Sequence, residues 1–174
     1  MVKISDREDP VLRQTAAEVP LSEIKGARIQ KVISDMQKAL ATQDDGVAIC
    51  APQIGVSLRM FVVSGRTLAD INGKEHGSIP DKVFINPKFV KLSKKTEWME
   101  EGCLSLRYLY GKVKRSTQAR VSAYDENGRK FEFGGSGLLA QIFQHETDHL
   151  NGVLFTDSAI EVVDLPPEPL KDEE

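Results

Sequence analysis

A run of five residues near the C-terminal end, His145-Glu146-Thr147-Asp148-His149, constrains this chain more than any other feature. The run lies in a segment, 138–150, whose apolar spacing predicts an α-helix. Two histidines four residues apart lie on one face of a helix, so His145 and His149 can bind the same metal ion. Glu146 lies beside them and can take a proton from a water molecule. The run therefore predicts a metal site on a helix.

The two histidines are expected to face the interior rather than solvent. At about 100° per residue, they and Glu146 fall on the same third of the helix as Leu138 and Ile142. The opposite, polar side of the helix is predicted to carry Gln144, Thr147 and Asp148. Two neutral imidazoles in an apolar stripe need partners, which a metal ion supplies. The alternative left open is a pair of core histidines, each satisfied by hydrogen bonds.

A hydrolytic metal site commonly has a third protein ligand and an open position for water. Only 25 residues follow His149, and the acidic ones lie near prolines or the chain end. Upstream, Cys103 in the segment Glu101-Gly102-Cys103-Leu104-Ser105 offers a thiolate between two predicted strands. One cysteine and two histidines suit Fe²⁺, Zn²⁺ or Ni²⁺. Taken alone, Cys103 is more often a small buried packing residue.

Composition bounds the remaining possibilities. The chain has 174 residues and a net charge of −3, from 23 Lys and Arg against 26 Asp and Glu, which argues against nucleic-acid binding through a basic face. No stretch reaches the roughly 18 continuous apolar residues of a membrane span, and residues 1–20 carry charges where a secretory signal is apolar. We therefore expect a cytoplasmic protein with reduced thiols. Of the remaining His and Cys, His76 is predicted to lie in solvent and Cys50 to pack in the core.

Elsewhere the apolar pattern predicts one further helix and several short strands. Apolar residues recur at helical spacing over 21–42, with Ser22 as the N-cap. The predicted strands are 58–64, 83–92, 96–100, 112–124 and 129–133. Residues 70–80 predict a surface loop, and 134–137 a flexible entry to the metal-binding helix. The acidic, proline-rich residues 161–174 predict a flexible tail.

A third segment, 46–55, places Gln53 after a small-residue strand and a proline, where it could hydrogen-bond a ligand next to the metal. Taken alone, Gln53 would be solvent-exposed more often than not. Together with 101–105 and 144–150, this segment resembles the peptide deformylases, which have the three segments in this order. Similarity at 9–12, 85–87, 137–140 and 152–155 extends the resemblance over nearly the whole chain.

The resemblance implies a fold and a metal site. The fold would be α+β, with short, mostly antiparallel strands around a central metal-binding helix and the N-terminal helix packed outside, in a single catalytic domain over 1–174. Cys103, His145 and His149 would hold one divalent ion per chain, Fe²⁺ first, with Zn²⁺ or Ni²⁺ as substitutes. Arg115 lies where the family tends to have an arginine that pairs with the aspartate of the helix motif, here Asp148, and would fix the metal helix.

The resemblance also implies how the site would work. Glu146 would be the general base and acid, while Gln53 and the backbone N–H of Leu104 would stabilise negative charge on the formyl oxygen. The peptide would add to the enzyme as an extended strand, with the methionine side chain near the metal helix. The residues implied to bind it are Val47, Ala48, Gly102 and Ile142.

The implied reaction is hydrolysis of the N-formyl group from N-formylmethionyl nascent peptides, which gives formate and a free N-terminal methionine. The chain departs from the common first segment at Ala48 and Cys50, where Gly and Ala are usual. These departures are the support for an alternative, a non-catalytic relative that binds metal and peptide. A general metalloprotease is disfavoured because its downstream third ligand is missing. The ribosome is an expected partner, but the acidic C-terminal end differs from the basic helix that some bacterial members use there, so no contact surface is assigned.

Overall fold

The structure is a computed structural model that describes residues 2–166. Within those residues the α-helices are α1 (Ala27–Ala41), α2 (Gly65–Ile71) and α3 (Leu138–Leu150). The strands are β1 (Ala48–Cys50), β2 (Met60–Val63), β3 (Lys82–Leu92), β4 (Thr96–Gly102), β5 (Leu109–Ser116), β6 (Gln118–Tyr124), β7 (Lys130–Ser136) and β8 (Ile160–Asp164). Strands predicted at 58–64, 83–92, 96–100 and 129–133 correspond to β2, β3, β4 and β7. None of the helices in 2–166 is long and apolar enough to cross a membrane.

The strands form two sheets. The larger has the order β1-β2-β3-β6-β7 and the smaller has the order β4-β5-β8, with every strand pairing antiparallel. α3 contacts β1, β6 and β7 of the larger sheet and β5 of the smaller one, whereas α1 contacts β1 and β2. The fold is therefore α+β, with short antiparallel strands around α3 and the N-terminal helix packed outside, as the resemblance implied.

Alternation along β2 explains why helices pack on both faces of the larger sheet. Phe61 and Val63 are buried in the same apolar cluster as Phe143 of α3. Met60 and Val62 point the other way, into the cluster that contains the apolar residues of α1. The side chains of β2 alternate in direction but not in polarity. All four are apolar and buried, because both faces of the strand are covered.

The N-terminal helix begins later than the sequence pattern predicts. Residues Leu21–Glu23 form a 3-10 turn, and α1 begins after Gly26, whose backbone is extended (φ −69°, ψ 149°). Ser22 lies inside the 3-10 turn, so its assignment as the N-cap is wrong. Ile24, which precedes α1, is buried like the apolar residues of the helix. The apolar spacing therefore runs on across residues 24–26, and periodicity alone does not reveal where the 3-10 turn ends and α1 begins.

The predicted strand 112–124 is two strands that belong to different sheets. β5 pairs with β4 and β8, while β6 pairs with β3 and β7. Only Thr117 separates them, and its N–H donates to the backbone oxygen of Lys95 at 3.0 Å. Apolar alternation runs through the join, which is why the pattern predicted a single strand.

Two stretches predicted to be flexible form strands. Residues 134–136 complete β7 and pair with β6, so only Gly137 (φ +55°) serves as the entry to α3. Residues 160–164 form β8, in which Val163 pairs with Tyr110 of β5. The prediction of a flexible tail from residue 161 is therefore wrong over 161–164, and 167–174 lie outside the described residues.

The loop predicted at 70–80 begins inside α2, a helix that the pattern did not predict. Ser64 caps α2 by accepting a hydrogen bond from the N–H of Thr67 at 3.0 Å. His76 is exposed, as expected, and its Nε2 lies 2.7 Å from Oδ1 of Asp70.

Candidate metal centre

Helix α3 is buried on more than its predicted apolar stripe. Glu146 and His149 are buried and His145 is partly buried, as predicted, but Leu138 at the start of the helix is 44% exposed. Gln144, predicted on the polar side, is also buried. Its side-chain oxygen accepts from the N–H of Ser116 at 2.9 Å, and its Nε2 donates to the oxygen of the same residue at 3.0 Å.

Thr147 is buried as well, so the predicted polar side of α3 is wrong at both Gln144 and Thr147. The reason is that the helix packs against both sheets, whereas a stripe prediction assumes that only one face is covered. Asp148 is the residue of that side that keeps partial exposure, with 32% of its side chain accessible.

The chain brings Cys103 to the two histidines of α3. Cys103 follows β4 directly and begins a tight turn, in which its carbonyl accepts from the N–H of Leu106 at 3.1 Å. Its Sγ lies 3.2 Å from Nε2 of His149. One ligand atom from each of Cys103, His145 and His149 lies within 4.8 Å of the others. This spacing is short enough for all three to bind one ion.

A carboxylate that the sequence analysis gave no role, Glu101, orients one of the histidines. Nδ1 of His145 lies 2.9 Å from Oε2 of Glu101, whose side chain is only 2% exposed. A hydrogen bond from Nδ1–H to a carboxylate leaves the lone pair of Nε2 free for a metal. Glu101 precedes Cys103 by two residues, so one short segment supplies both a ligand and the partner of another ligand.

Arg115 of β5 joins Glu101 to the metal helix. Its Nε and Nη2 donate to the two oxygens of Glu101 at 2.6 and 3.0 Å, and its Nη1 donates to Oδ2 of Asp148 at 2.6 Å. The Arg115 side chain is 8% exposed. The predicted pairing of Arg115 with Asp148 is present in this geometry, and Glu101 is an additional partner of the same guanidinium.

These contacts set the charges of Cys103, His145 and Glu101. Burial raises the pKa of Cys103, but the charge of His149 and hydrogen bonds from both histidines bring it well below its usual value. Burial lowers the pKa of His145, yet the hydrogen bonds to Cys103 and Glu101 raise it well above its usual value. Burial likewise raises the pKa of Glu101, and hydrogen bonds from His145 and Arg115 outweigh it and hold this pKa at about 2. The lowered pKa of Cys103 favours the thiolate, which is the form that binds metal.

The ligands lie at the base of a cleft of about 330 Å³. Nine residues that the sequence analysis singled out line this cleft: Val47, Ala48, Gln53, Gly102, Cys103, Leu104, Ile142, His145 and Glu146. His149 is 1% exposed and lies beneath the cleft surface. The structure thus brings together the residues predicted for metal binding, catalysis and peptide binding.

The residues present fit a divalent ion. Oε2 of Glu146 is buried with no hydrogen-bond partner within residues 2–166. An unpaired carboxylate oxygen is costly in a buried site, and a water molecule or another polar group beside the three side chains would satisfy it. A cysteine and two histidines form the donor set of an open tetrahedral site with one position left for such a group.

Gln53 is buried beside the ligands rather than exposed, in contrast to the expectation for this residue taken alone. It is 2% exposed and lies in a 3-10 turn, Ala51–Ile54, that ends at Gly55 with φ +79°. Its Nε2 lies 3.5 Å from Sγ of Cys103 and 3.3 Å from Oγ of Ser105. The amide N–H₂ group therefore faces the metal ligand.

Comparisons with known proteins agree with this site. The sequence profile of the polypeptide deformylase family matches residues 1–164. Peptide deformylase 2 of Clostridium acetobutylicum is 36% identical over 157 residues, which are 90% of this chain and 93% of that protein. The chloroplastic peptide deformylase 1A of Solanum lycopersicum is 36% identical over 172 residues, which cover 91% of this chain, and the match spans 62% of that longer protein.

A solved structure has the same fold. The Met-Ala-Ser-bound peptide deformylase of Acinetobacter baumannii superposes with a TM-score of 0.79 at 29% sequence identity, covering 91% of this chain and 98% of the other. The profile match takes in all three motif segments and every predicted ligand. The chain therefore belongs to the polypeptide deformylase family.

Proposed function

We propose that the protein is a metal-dependent peptide deformylase. It hydrolyses the N-formyl group of N-formylmethionyl nascent peptides to give formate and a peptide with a free N-terminal methionine. The observation that carries this proposal is the convergence of Cys103, His145 and His149 beside a cleft that Glu146 and Gln53 line. The membership of the family supports the same reaction.

The ion would be held by the thiolate of Cys103 and the Nε2 atoms of His145 and His149. When bound, it lowers the pKa of a water molecule and polarises a carbonyl oxygen. We propose Fe²⁺ as the native metal because the family commonly uses it, with Zn²⁺ and Ni²⁺ as substitutes. This donor set is soft enough for each of the three.

Glu146 is proposed to move the proton. Burial is the main reason that its pKa lies above the usual value for a glutamate. A carboxyl group with a raised pKa is suited both to accept a proton from the attacking water and to return it to the leaving nitrogen. Its position next to His145 on α3 and in the lining of the cleft supports this role.

Negative charge that develops on the formyl oxygen would be stabilised by two donors. One is Nε2 of Gln53, which already faces the ligand cluster. The other is the backbone N–H of Leu104, which lines the cleft and donates no hydrogen bond within residues 2–166. Fixed donors aimed at developing charge are among the largest contributors to catalysis of acyl transfer.

The peptide is proposed to bind as an extended strand. β1 is an outer strand of the larger sheet, and the cleft is lined by Ala48 of β1, by Val47 just before it and by Gly102 at the end of β4. Backbone hydrogen bonds to such an edge hold a peptide regardless of its sequence. Ile142 offers an apolar contact for the methionine side chain, and the Acinetobacter baumannii relative was solved with Met-Ala-Ser bound.

The test is formate release from a formyl-Met peptide by protein loaded with metal under anaerobic conditions. Glu146→Gln should bind metal as the wild type does and lose about 10²–10⁴-fold in kcat, because proton transfer is lost. The matched control is Glu132→Gln, an exposed glutamate on β7 that should leave kcat unchanged. Equal turnover by wild type and Glu146→Gln would refute the proposal.

Three further assignments are proposed with this function. Residues 1–174 are proposed to form a single catalytic domain, which the unbroken profile match over 1–164 supports. A cytoplasmic location stays a prediction, since the tomato relative is named as chloroplastic. Contact with the ribosome also stays a prediction, with no surface assigned to it.

A further inference from the structure

Cys50 lies on the same face of β1 as the catalytic cleft. Alternation along the strand places Ala48 and Cys50 in the apolar cluster that contains the buried residues of α3. Ile49 points the other way, into the cluster around α1. Cys50 is 0% exposed, so its thiol is enclosed between β1 and the metal-binding helix.

Two donors of Cys50 converge on one atom of Gln53. The backbone N–H of Cys50 donates to Oε1 of Gln53 at 3.0 Å, and the Cys50 thiol approaches the same oxygen at 3.4 Å. The oxygen end of the amide is therefore occupied by donors. The opposite end, Nε2, then faces Sγ of Cys103.

The Cys50 thiol is a donor because it stays protonated. Burial, and next the charge of Glu146, raise the pKa of Cys50 well above its usual value. The protonated thiol can therefore donate to Oε1 of Gln53, the acceptor that it approaches at 3.4 Å.

We propose that Cys50 is a positioning residue whose thiol fixes the side-chain amide of Gln53 with its N–H₂ group toward the formyl oxygen. This inference rests on the proposed function of Gln53 as a donor to that oxygen. Reversal of the amide would cost two interactions: its N–H₂ group would face the backbone N–H of Cys50, a donor–donor contact, and the Cys50 thiol would lose the oxygen that accepts its S–H. Alanine, the residue usual at this position in the family, leaves only one.

The expected effect follows from the loss of one weak donor. Removing the thiol should lower kcat by about three- to tenfold, in line with a single hydrogen bond to a neutral group. KM should change little, because the Gln53 amide stabilises charge that develops only in the transition state. The effect is smaller than that of removing Gln53 itself, for which about 10²–10³-fold in kcat is expected.

The experiment measures kcat and KM for deformylation by Cys50→Ala, Cys50→Val and Cys50→Ser, each loaded with the same metal and checked for metal content. Alanine and valine remove the donor, and valine also fills the space. Serine keeps an O–H donor, so it should retain a higher kcat than alanine. The packing control is Val121→Ala, a buried truncation on β6 in the same apolar cluster that should lower Tm without changing kcat.

A purely structural role of Cys50 predicts a different order of kcat values among the variants. If packing alone mattered, serine would be no better than alanine, because it is equally small and adds a polar atom to a buried site. Equal kcat values for Cys50→Ser and Cys50→Ala, or a wild-type kcat in Cys50→Ala, would overturn the inference. In the Gln53→Ala background, Cys50→Ala should have no additional effect on kcat, and an additive loss would also overturn it.

The same set of variants separates this inference from the proposal it rests on. If Gln53→Ala has a wild-type kcat, the role proposed for Gln53 is wrong and the inference about Cys50 is wrong with it. If Gln53→Ala loses activity while Cys50→Ala does not, only the positioning role of Cys50 is overturned.

Discussion

Replacing Glu101 by glutamine should weaken metal binding although Glu101 is not a ligand. In the wild type, three N–H donors point at its carboxylate: Nδ1 of His145 at 2.9 Å, and Nε and Nη2 of Arg115 at 2.6 and 3.0 Å. A glutamine side chain has one acceptor oxygen and one N–H₂ group. Whichever way it is oriented, its N–H₂ group faces at least one of these donors in a buried site, because one oxygen accepts from Arg115 alone and the other from both Arg115 and His145.

The magnitude can be worked out from the two orientations of the new amide. If its N–H₂ group faces His145, the imidazole must carry its proton on Nε2, which removes the lone pair that would bind the metal. If it faces Arg115, a charge-assisted hydrogen bond of about 1.5–3 kcal/mol is lost and the imidazole is held less firmly. We therefore expect the dissociation constant for the metal to rise about 10–100-fold, as for other partners of metal-bound histidines.

The assay is a competition titration of metal-free protein against a chromophoric chelator, with Zn²⁺ or Ni²⁺ as the probe. The matched control is Glu100→Gln, which removes the neighbouring acid of β4, whose side chain is exposed. Glu100→Gln should bind metal within about threefold of the wild type, because an exposed charge is screened by solvent. An unchanged affinity in Glu101→Gln, or an equal loss in Glu100→Gln, would refute the role given to Glu101.

Two further predictions concern the stability of the same network. The pKa of Glu101 falls from 4.5 to about 2 on folding, so its contribution to stability is present above 4.5 and is lost as the pH falls toward 2. In metal-free protein, the difference in the free energy of unfolding between wild type and Glu101→Gln should therefore shrink by about 3 kcal/mol over that range, measured by urea denaturation. Arg115→Met should lower the free energy of unfolding by about 3–5 kcal/mol, because it leaves the buried carboxylate of Glu101 with His145 as its one remaining partner within residues 2–166 and removes the partner of Asp148, and Arg115→Lys should lower it less, because the charge remains. Equal stability of the methionine and lysine variants would contradict this account.

The part of the site that lies on one helix could be predicted from the sequence. The spacing of His145 and His149 fixes their geometry locally, because residues four apart share a helix face whatever surrounds the helix. Cys103 is different, since its distance from the histidines depends on how β4 packs near α3. The residue pattern alone left it as one candidate, and only the resemblance to a family singled it out as the third ligand.

Glu101 shows where a further physical rule could have been used. Metal-binding histidines commonly donate their second N–H to a carboxylate, so an acidic partner was to be expected. Glu101 lies near the end of β4, two residues before Cys103, and residues two apart in an extended segment point to the same side. The signal was present, but the sequence contains many acids, and choosing among them requires the position of β4 relative to α3.

The errors along the chain have a common cause. Gln144 and Thr147 were predicted to be exposed because helical periodicity assumes one covered face, whereas two sheets contact α3. Residues 160–163 contain three β-branched side chains, a strand signal, yet the acidic, proline-rich residues around them favoured a tail. In each case a second partner, distant in sequence, decides the structure.

Arg115 is the link between the elements that carry the ligands. Cys103 follows β4, the histidines lie on α3, and Arg115 on β5 contacts a carboxylate from each of these two elements. Burying such an ion pair costs desolvation energy, and the attraction between the charges does not always exceed this cost. Net stabilisation of the fold is therefore a poor explanation for the presence of the buried Arg115 network. Its bidentate geometry restricts how β4 and α3 can move relative to each other. Because a metal site must be held to within a fraction of an ångström, we infer that the main effect of this buried network is to keep the three ligands in place before the ion arrives.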